Sequence, residues 1–495
     1  MMNKKHILKL SREYTQANFT WIVSLILTMV LLMNSFDFKS GVLKSSTFIV
    51  FVAYAVFTVL QILITWMVKR DILASGKIRT STRKLGYIQL FSIAIGNVFI
   101  VAFAFNLLKK SKTPEYTFAV YMLLTQVCII AISALNLFKA YVSDTFLLAM
   151  IILIGIMIFY AVTLILVAKY VEDETAPSWM ITIAVVLLLT ALTGNVFALL
   201  LGYSLFVKVR SHDRSRILKW NAMWEKITRN STAILGMFFI ILMFGLSICS
   251  IFTFDYDMAV ENDYGAILQT PSLAYPFGTD NFGRDLFSRI IYGARISLLV
   301  GFASTLIPAV IGGFLGALAG YYSQRTDNII MRILDILYAV PGILLAIAII
   351  AAFGANTTNL IIALSVGSIP TYARTMRANV LMVSNYEFVD SARALGSSDL
   401  SIIFRQIVPN SLAPMIIKAT LTIGGAVIAT SSLSFLGLGV EPHIPEWGNI
   451  LKIGSTYLES HSYLAIIPGL AIILLVLSFN FLGDGLRDAF DPRMN

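Results

Sequence analysis

The sequence predicts an all-α polytopic membrane protein with about twelve transmembrane helices. Composition is the first reason: 58% of the 495 residues are hydrophobic and only 13% are charged, whereas soluble domains carry roughly a quarter charged residues. Patterning is the second, because apolar runs of about 20 residues, the length that crosses a bilayer, recur along the chain. A soluble fold would have to leave large apolar patches exposed to accommodate them.

Six apolar runs lie in each half of the chain. In the first half they are Phe19–Phe36, Thr47–Val68, Gly86–Leu107, Tyr116–Phe138, Thr145–Ala168 and Trp179–Phe206. In the second half they are Ala233–Phe252, Ile296–Tyr321, Ile329–Ala352, Leu360–Val380, Leu412–Ser432 and Leu464–Leu482. Membrane helices tolerate interruptions where they pack on protein or line a polar path, and the second half has such interruptions at Pro341, Gly342, Gly354 and Pro370.

Polar and small residues inside the runs predict close helix packing. Amides in the first half are expected to link neighbouring helices; they are Gln61, Asn97, Asn106, Gln126, Asn136 and Asn195. Closely spaced glycines in the second half would let helices approach one another; they are Gly312, Gly313, Gly316 and Gly320. Arg332 and Asp335 lie one turn apart and are expected to pair with each other.

Lys and Arg predict orientation, because they accumulate in cytoplasmic loops. Three regions are expected inside: the N-terminus with Lys4, Lys5, Lys9 and Arg12, the loop Lys69–Lys84, and the stretch Val207–Asn230 with seven basic residues against two acids. Twelve spans return the C-terminus, with Arg487 and Arg493, to the same side. One loop disagrees, since it would place Lys109, Lys110 and Lys112 outside. The formal charge of +10 is thus explained by topology and predicts no nucleic-acid partner.

No set of residues that supports catalysis emerges. The chain has no GxxxxGK[ST] phosphate loop, no HExxH and no GxSxG. Its four histidines (His6, His212, His443 and His461) lack metal-ligand spacing, and Cys128 and Cys249 fall inside apolar runs. We therefore expect a non-catalytic subunit with no metal or cofactor. If nucleotide energy drives it, the ATPase must be another chain.

The stretch 386–410 is a long polar segment between two apolar runs in the second half. It predicts two short amphipathic helices, the first with an apolar patch of Phe388, Val389 and Ala392. Gly396 can adopt a positive φ and end that helix. Ser398 or Asp399 can cap the second helix, which is expected to end at Pro409. Such a pair is suited to docking in a protein groove or, alternatively, to resting on lipid.

The motif Asp390-Ser391-Ala392, followed by Gly396 and by Val408-Pro409, resembles the EAA loop of binding-protein-dependent ABC importer permeases. In that family the loop is the coupling helix that inserts into the cytoplasmic ATPase. By position Asp390 replaces the family's Glu, Ser391 and Ala392 stand for its alanines, and Gly396 for its turn. Gln406 stands where isoleucine is common. Arg393 and Pro409 complete the expected coupling residues.

Four further segments resemble the C-type permease subunit of peptide importers: Phe277–Gly301, Met331–Ile349, Ser434–Leu451 and Leu482–Arg493. The resemblance implies an ABC type-1 transmembrane domain at 295–484, preceded by a connector, a first span and an external segment at 209–294, and followed by a cytoplasmic tail at 485–495. Family members typically have six spans, so the six-span region 1–208 is an extension that the resemblance does not explain.

The resemblance also implies partners. These are a second, similar permease subunit, two cytoplasmic ATPases that carry the ATP-Mg, an extracellular solute-binding protein and the lipid of a bacterial cytoplasmic membrane. The last five spans would supply half of the transport path. The substrates implied are oligopeptides or dipeptides, with nickel or other metal chelates as the alternative.

Two outer segments are candidates for contact with the binding protein. One contains Gly278, Thr279, Asp280, Gly283 and Asp285, although the same residues are also typical of a simple turn. The other is Glu441–His461, in which Glu446 and Trp447 could instead anchor at the membrane interface.

Two rivals from other classes remain. A twelve-span secondary carrier would need matching halves and ionisable residues deep in its spans, and neither is evident in the sequence. A membrane receptor or assembly factor would depend mainly on the first half.

Overall fold

The computed structural model describes residue 8 and residues 11–37, 42–43, 45–110, 112–139, 141–172, 175–210 and 214–491. Lys4, Lys5, His6, Lys9, His212 and Arg493 of the sequence predictions lie outside these ranges. The chain forms two compact units. The first comprises Met1–Ile130 and Ile152–Ser231, and the second comprises Ala131–Ile151 and Thr232–Asn495.

The described chain is almost entirely helical, which confirms the predicted fold class. Its one sheet pairs two strands of two residues, β1 (Phe36–Asp37) and β2 (Val42–Leu43). Among the described residues, eight helices are long and apolar enough to cross a membrane, and a ninth span is possible if a bent pair counts as one. The predicted count of about twelve is therefore not confirmed.

Within the described residues 11–229, nine α-helices have defined bounds. They are α1 (Arg12–Ser35), α2 (Ser45–Ser75), α3 (Thr80–Leu90), α4 (Val98–Leu108), α5 (Pro114–Ala134), α6 (Phe146–Tyr170), α7 (Met180–Thr190), α8 (Val196–Arg210) and α9 (Arg214–Arg229). Buried amides join them as predicted: Asn195 Nδ2 donates to Met122 O at 2.9 Å and Gln126 Nε2 to Leu153 O at 3.1 Å.

Two of the expected spans, Gly86–Leu107 and Trp179–Phe206, are each a hairpin of two short helices. In the first, α3 passes through a short 3-10 turn to Gly96, which has a φ of +73°, and then into α4. Arg83, at the start of α3, donates to Leu107 O at the end of α4 at 2.8 Å. The chain therefore enters and leaves at the same end of the unit. Pair α7–α8 reverses likewise around Gly194.

The hairpins explain the one loop that opposed the orientation rule. Because α3 and α4 reverse direction, the loop after α4 lies at the end where α1 begins. Lys112 Nζ is 3.3 Å from Glu13 Oε1 there. Lys109, Lys110 and Lys112 therefore join the basic residues at this end and do not lie opposite to them.

The two hairpins belong to an internal repeat, in which two long helices are followed by a short pair. Each hairpin turns at the sequence Gly-Asn-Val-Phe, at 96–99 and 194–197. The two turn asparagines make corresponding contacts: Asn97 Nδ2 donates to Ser24 Oγ in α1 at 3.3 Å, and Asn195 Nδ2 donates to Met122 O in α5.

Eleven α-helices follow in the described residues 231–491. They are α10 (Ser231–Thr253), α11 (Asp257–Val260), α12 (Leu286–Tyr321), α13 (Gln324–Ala339), α14 (Gly342–Phe353), α15 (Thr357–Val383), α16 (Glu387–Ala394), α17 (Asp399–Ile402), α18 (Val408–Phe435), α19 (Trp447–Ser455) and α20 (Tyr463–Phe490). Helices α13 and α14 form one bent pair: their directions differ by 82° across the break at Pro341.

Helices α12 and α15 run side by side in the same direction. Gly312, Gly316 and Gly320 form the contact stripe, since a Cβ on Gly312 would lie 2.6 Å from Ile369 O. Gly313 is not part of this stripe and faces Met415. The predicted pairing of Arg332 with Asp335 is replaced in the structure by an ion pair between two helices. Asp335 accepts from Arg374 at 2.6 Å because α15 passes beside α13.

Candidate functional site

The polar stretch 386–410 begins with helix α16, and Gly396 ends that helix as predicted. Gly396 has a φ of +78°, and its N–H donates to Arg393 O at 3.0 Å. The next residue, Ser397, donates to Ala392 O at 3.1 Å. These two bonds are the Schellman motif, which places a residue with left-handed backbone just beyond a helix. A Cβ at Gly396 would meet no atom within 4 Å, so its requirement is conformational and not steric.

The second part of the stretch does not end at Pro409 as expected. Helix α17 continues through a π-helical turn at Ile403–Ile407 directly into α18, giving one helix from Asp399 to Phe435. Pro409 lies in the first turn of α18. The π turn alters the backbone hydrogen bonding just where proline lacks an N–H, which is how a helix can absorb that residue.

One face of the stretch is buried against the membrane helices. Val389, Ile402, Ile403 and Ile407 are fully buried, in a cluster that also contains Tyr372, Met376, Val380, Val383 and Met415. The Tyr321 hydroxyl at the end of α12 donates to Asp399 Oδ1 at 2.8 Å. The stretch is therefore packed onto α12, α15 and α18. Ser398 occupies the predicted cap position, but its side chain makes no capping bond.

The opposite face presents apolar side chains to the outside. Leu395 is 85% exposed, Leu400 57% and Phe388 37%. Asp390 and Arg393 are also exposed and form an ion pair at 3.1 Å, while the Ser391 hydroxyl bonds back to Glu387 O. Of the predicted patch, Phe388 faces out, whereas Val389 faces the core and Ala392 packs beside it. Leu395 and Leu400 were not included in the apolar patch predicted from the sequence. Each is an isolated leucine near a helix end in a polar stretch, and that position was the available sequence signal for an exposed apolar contact.

The segment predicted to be external, residues 254–285, lies between α10 and α12 and is called the external segment below. Asp280 organises it from a position only 2% exposed. Its Oδ1 accepts from the backbone N–H groups of Phe282 and Arg284, at 2.8 and 3.0 Å. Its Oδ2 accepts from Arg284 Nε at 2.8 Å and lies 3.7 Å from Arg289 Nε. One carboxylate thus balances two buried guanidinium groups.

The other predicted contact residues of this segment are also buried. Thr279 receives a bond from Gln269 N at 2.8 Å, and Asp285 caps α12 by accepting from Phe287 N and Ser288 N. Gly278 and Gly283 have φ values of +77° and +78°. A Cβ on Gly283 would collide with Asp263 O. These residues hold the segment together and do not form its surface.

The surface of the external segment is acidic. Asp257, Glu261 and Asp263 are exposed and, with Asp255, line an open cleft of about 180 Å³. Two large apolar side chains of the same segment, Tyr264 and Leu273, are 71% and 70% exposed. A partner that docks here would therefore need a basic surface with apolar contacts.

The second outer segment contains a buried carboxylate. Glu446 accepts from Gly448 N at 2.8 Å and from Asn449 N at 3.1 Å, and so caps α19. Burial raises the pKa of the Glu446 carboxyl, although these hydrogen bonds oppose that rise. Trp447 is fully buried and donates to Ile290 O at 2.9 Å. Neither side chain is an interface anchor, because neither reaches the surface.

The chain is similar to known membrane transport proteins. Residues 312–495 match the family described as the inner membrane component of binding-protein-dependent transport systems. The glutathione transport system permease protein GsiD of Pectobacterium atrosepticum is 42% identical over 282 residues, which cover 57% of this chain and 94% of that protein. GsiD of Escherichia coli is 44% identical over 275 residues, covering 56% of this chain and 91% of that protein.

Among solved structures, an inward-facing form of the MetNI methionine ABC transporter is similar to part of the chain. It has 20% sequence identity and covers 41% of this chain and 97% of that chain, with a TM-score of 0.35. The assignment to a family therefore depends on the sequence relatives.

Proposed function

Because the chain belongs to the permease family of binding-protein-dependent ABC importers, we propose that it forms half of a transport path whose ATPases dock on stretch 386–410. The burial pattern of that stretch is the observation that carries the proposal. Its inner face is packed into the membrane helices, while Leu395 and Leu400 point away from them. An exposed apolar face on a short helix is a common way to enter a groove on another protein.

The attachment of the stretch supports a mechanism. Val389 of α16 and Ile402 of α17 pack in the same cluster as Tyr372 and Met376 of α15. A rigid-body movement of a docked ATPase would therefore displace α16 and, through these contacts, α15. Movements of packed helices of this kind switch proteins between discrete arrangements. In this proposal ATP-Mg is held by the ATPase subunits, and this chain holds no nucleotide.

The proposed assembly contains a second permease subunit, two ATPase subunits and an extracellular solute-binding protein. The domain at 295–484 supplies the path, with 1–208 as an additional membrane region, 209–294 as connector and external segment, and 485–495 as a cytoplasmic tail. Both termini face the cytoplasm of a bacterial cell. Clustering of the basic loops at the end of the first unit where α1 begins supports that orientation.

We propose a peptide-like substrate, since the relatives at 42% and 44% identity are named as glutathione permeases. The test is uptake in vesicles that contain the chain together with its proposed partners: two ATPases, a second permease and a binding protein. Labelled glutathione and di- to pentapeptides should be taken up with ATP, and a labelled nickel chelate should not. Uptake of the chelate alone would contradict this substrate class.

Placing a charge on the outer face of the stretch tests docking directly. Leu395→Asp combined with Leu400→Asp should reduce co-purification of the ATPases roughly 100-fold or more, because two apolar contacts of about 1.5–3 kcal/mol each would be lost. Leu395→Met is the matched control, since it keeps an apolar side chain, and it should bind normally. Unchanged co-purification of the double aspartate variant would contradict docking at this face.

A further inference from the structure

The outer turn, defined as residues 135–139 and 141–145 between α5 and α6, comes from the N-terminal extension but belongs to the second unit. The segment Ala131–Ile151 groups with Thr232–Asn495 and not with the rest of the extension. The extension therefore contributes a piece of chain to the unit that contains the transport domain. The GsiD relatives cover little more than half of this chain, so the full-length family pattern does not account for such a piece.

Hydrogen bonds fix the turn at both ends. Asn136 Nδ2 donates to Thr253 O at 2.8 Å, at the end of α10. Thr145 Oγ1 donates to Phe252 O at 2.9 Å. Ser133, one turn before Asn136, adds a bond to Thr253 Oγ1 at 3.2 Å. The turn thus lies against the point where α10 gives way to the external segment.

Lys139 projects from the turn into the external segment. Its side chain is only 2% exposed, and its Nζ lies 2.6 Å from Asp285 Oδ2, itself 1% exposed. It also donates to Ser288 Oγ at 2.8 Å. The rings of Phe254 and Phe287 lie 5.4 and 5.6 Å from the ammonium group, within the range of favourable cation–π contact.

Asp285 depends on this lysine for its counter-charge. The two nearby guanidinium groups, Arg284 and Arg289, face Asp280 instead. Within the described part of the chain, Lys139 is the one cation found within ion-pair distance of the Asp285 carboxylate. Asp285 also caps the 36-residue helix α12. Removal of one partner from a buried ion pair leaves an uncompensated charge, which is strongly unfavourable.

We propose that Lys139 is a positioning residue: the outer turn of the extension holds the external segment in place by pairing with Asp285, and thereby completes the surface that receives the solute-binding protein. The role of the external segment in receiving the binding protein rests on the proposed function. The pairing itself does not, because it concerns this chain alone. The extension thus acts as a built-in brace for the external face of the transport domain.

The first test uses the purified full-length chain and hydrogen–deuterium exchange. Lys139→Met should accelerate amide exchange in the external segment by roughly tenfold or more, because the unpaired carboxylate favours local opening. Slow exchange should be retained in Lys139→Arg, which keeps a positive charge opposite Asp285. It should also be retained when Lys139→Met is combined with Asp285→Asn, which leaves no unpaired charge. Lys84→Met, at an exposed lysine of the extension, should change nothing. Wild-type exchange in Lys139→Met would overturn the proposal.

The second test measures ATPase activity of the assembled transporter against binding-protein concentration. Lys139→Met should raise the half-saturating concentration roughly tenfold with little change in maximal rate, because it disturbs a surface and not the coupling stretch. Lys139→Met combined with Asp285→Asn should return the half-saturating concentration to the wild-type value. An unchanged half-saturating concentration alongside faster exchange would overturn the role in receiving the binding protein. If even the wild type shows no stimulation, the proposed function fails, while the exchange result still decides the pairing.

Discussion

Gly396→Val is expected to lower ATP-driven uptake by roughly tenfold or more, because an L-residue with left-handed backbone costs about 1–2 kcal/mol and a β-branched one costs more. Gly396 has a φ of +78° and ends α16. Valine would favour a right-handed backbone there, which would extend α16 and turn Leu395 away from its outward position. Uptake by vesicles that contain the whole assembly is the measurement.

Two variants separate this effect from general strain. Gly76 has a φ of +68° and an equally open environment, but lies after α2 in the first unit. Gly76→Val should carry a similar conformational cost without loss of coupling. Gly396→Asn should retain much of the uptake, since asparagine adopts this backbone more readily. Wild-type uptake in Gly396→Val would mean that the angle set at this residue is not required.

Asp280→Ala should destabilise the external segment by about 3–5 kcal/mol, the usual result of breaking a buried ion pair by removing one partner. Arg284 and Arg289 would both lose their counter-charge, and two backbone N–H groups would lose their acceptor. Rapid proteolytic cleavage within residues 254–285 of the purified chain should report this opening.

Asp257→Ala is the matched control for the proteolysis experiment, because Asp257 is an exposed acid of the same segment. It should leave the cleavage rate unchanged. Asp280→Asn should be intermediate, as asparagine keeps an acceptor for the backbone N–H groups but not the negative charge. Equal cleavage of the wild type and Asp280→Ala would show that the two arginines do not depend on this carboxylate.

The sequence predicted the parts of the fold that depend on local chemistry. A glycine between two short amphipathic helices predicted the left-handed residue at Gly396. Apolar length predicted the long spans. Apolar length could not distinguish a 20-residue span from a hairpin of two short helices, because both have the same composition. The signal for reversal was the repeated Gly-Asn-Val-Phe at 96–99 and 194–197, together with the misplaced lysines after α4.

Residues distant in sequence account for the other differences. The family resemblance predicted an external segment and the residues around Asp280 predicted a turn or contact site, but not that the Asp280 carboxylate would be turned inward against Arg284 and Arg289. The ion pair of Lys139 could not be predicted for the same reason, since its partner Asp285 lies 146 positions away in the sequence. In stretch 386–410 the sequence located the helices, whereas the direction of Leu395 and Leu400 depends on how the inner face packs.

The central claim is that stretch 386–410 touches the ATPase. A photo-crosslinking amino acid at position 395 tests it most directly, with the same group at the fully buried Ile402 as the control. In membranes containing the full assembly, position 395 should crosslink to the ATPase subunit and position 402 should crosslink only within this chain. Crosslinking of position 395 to lipid alone would contradict the account, because the outer face would then rest on the membrane.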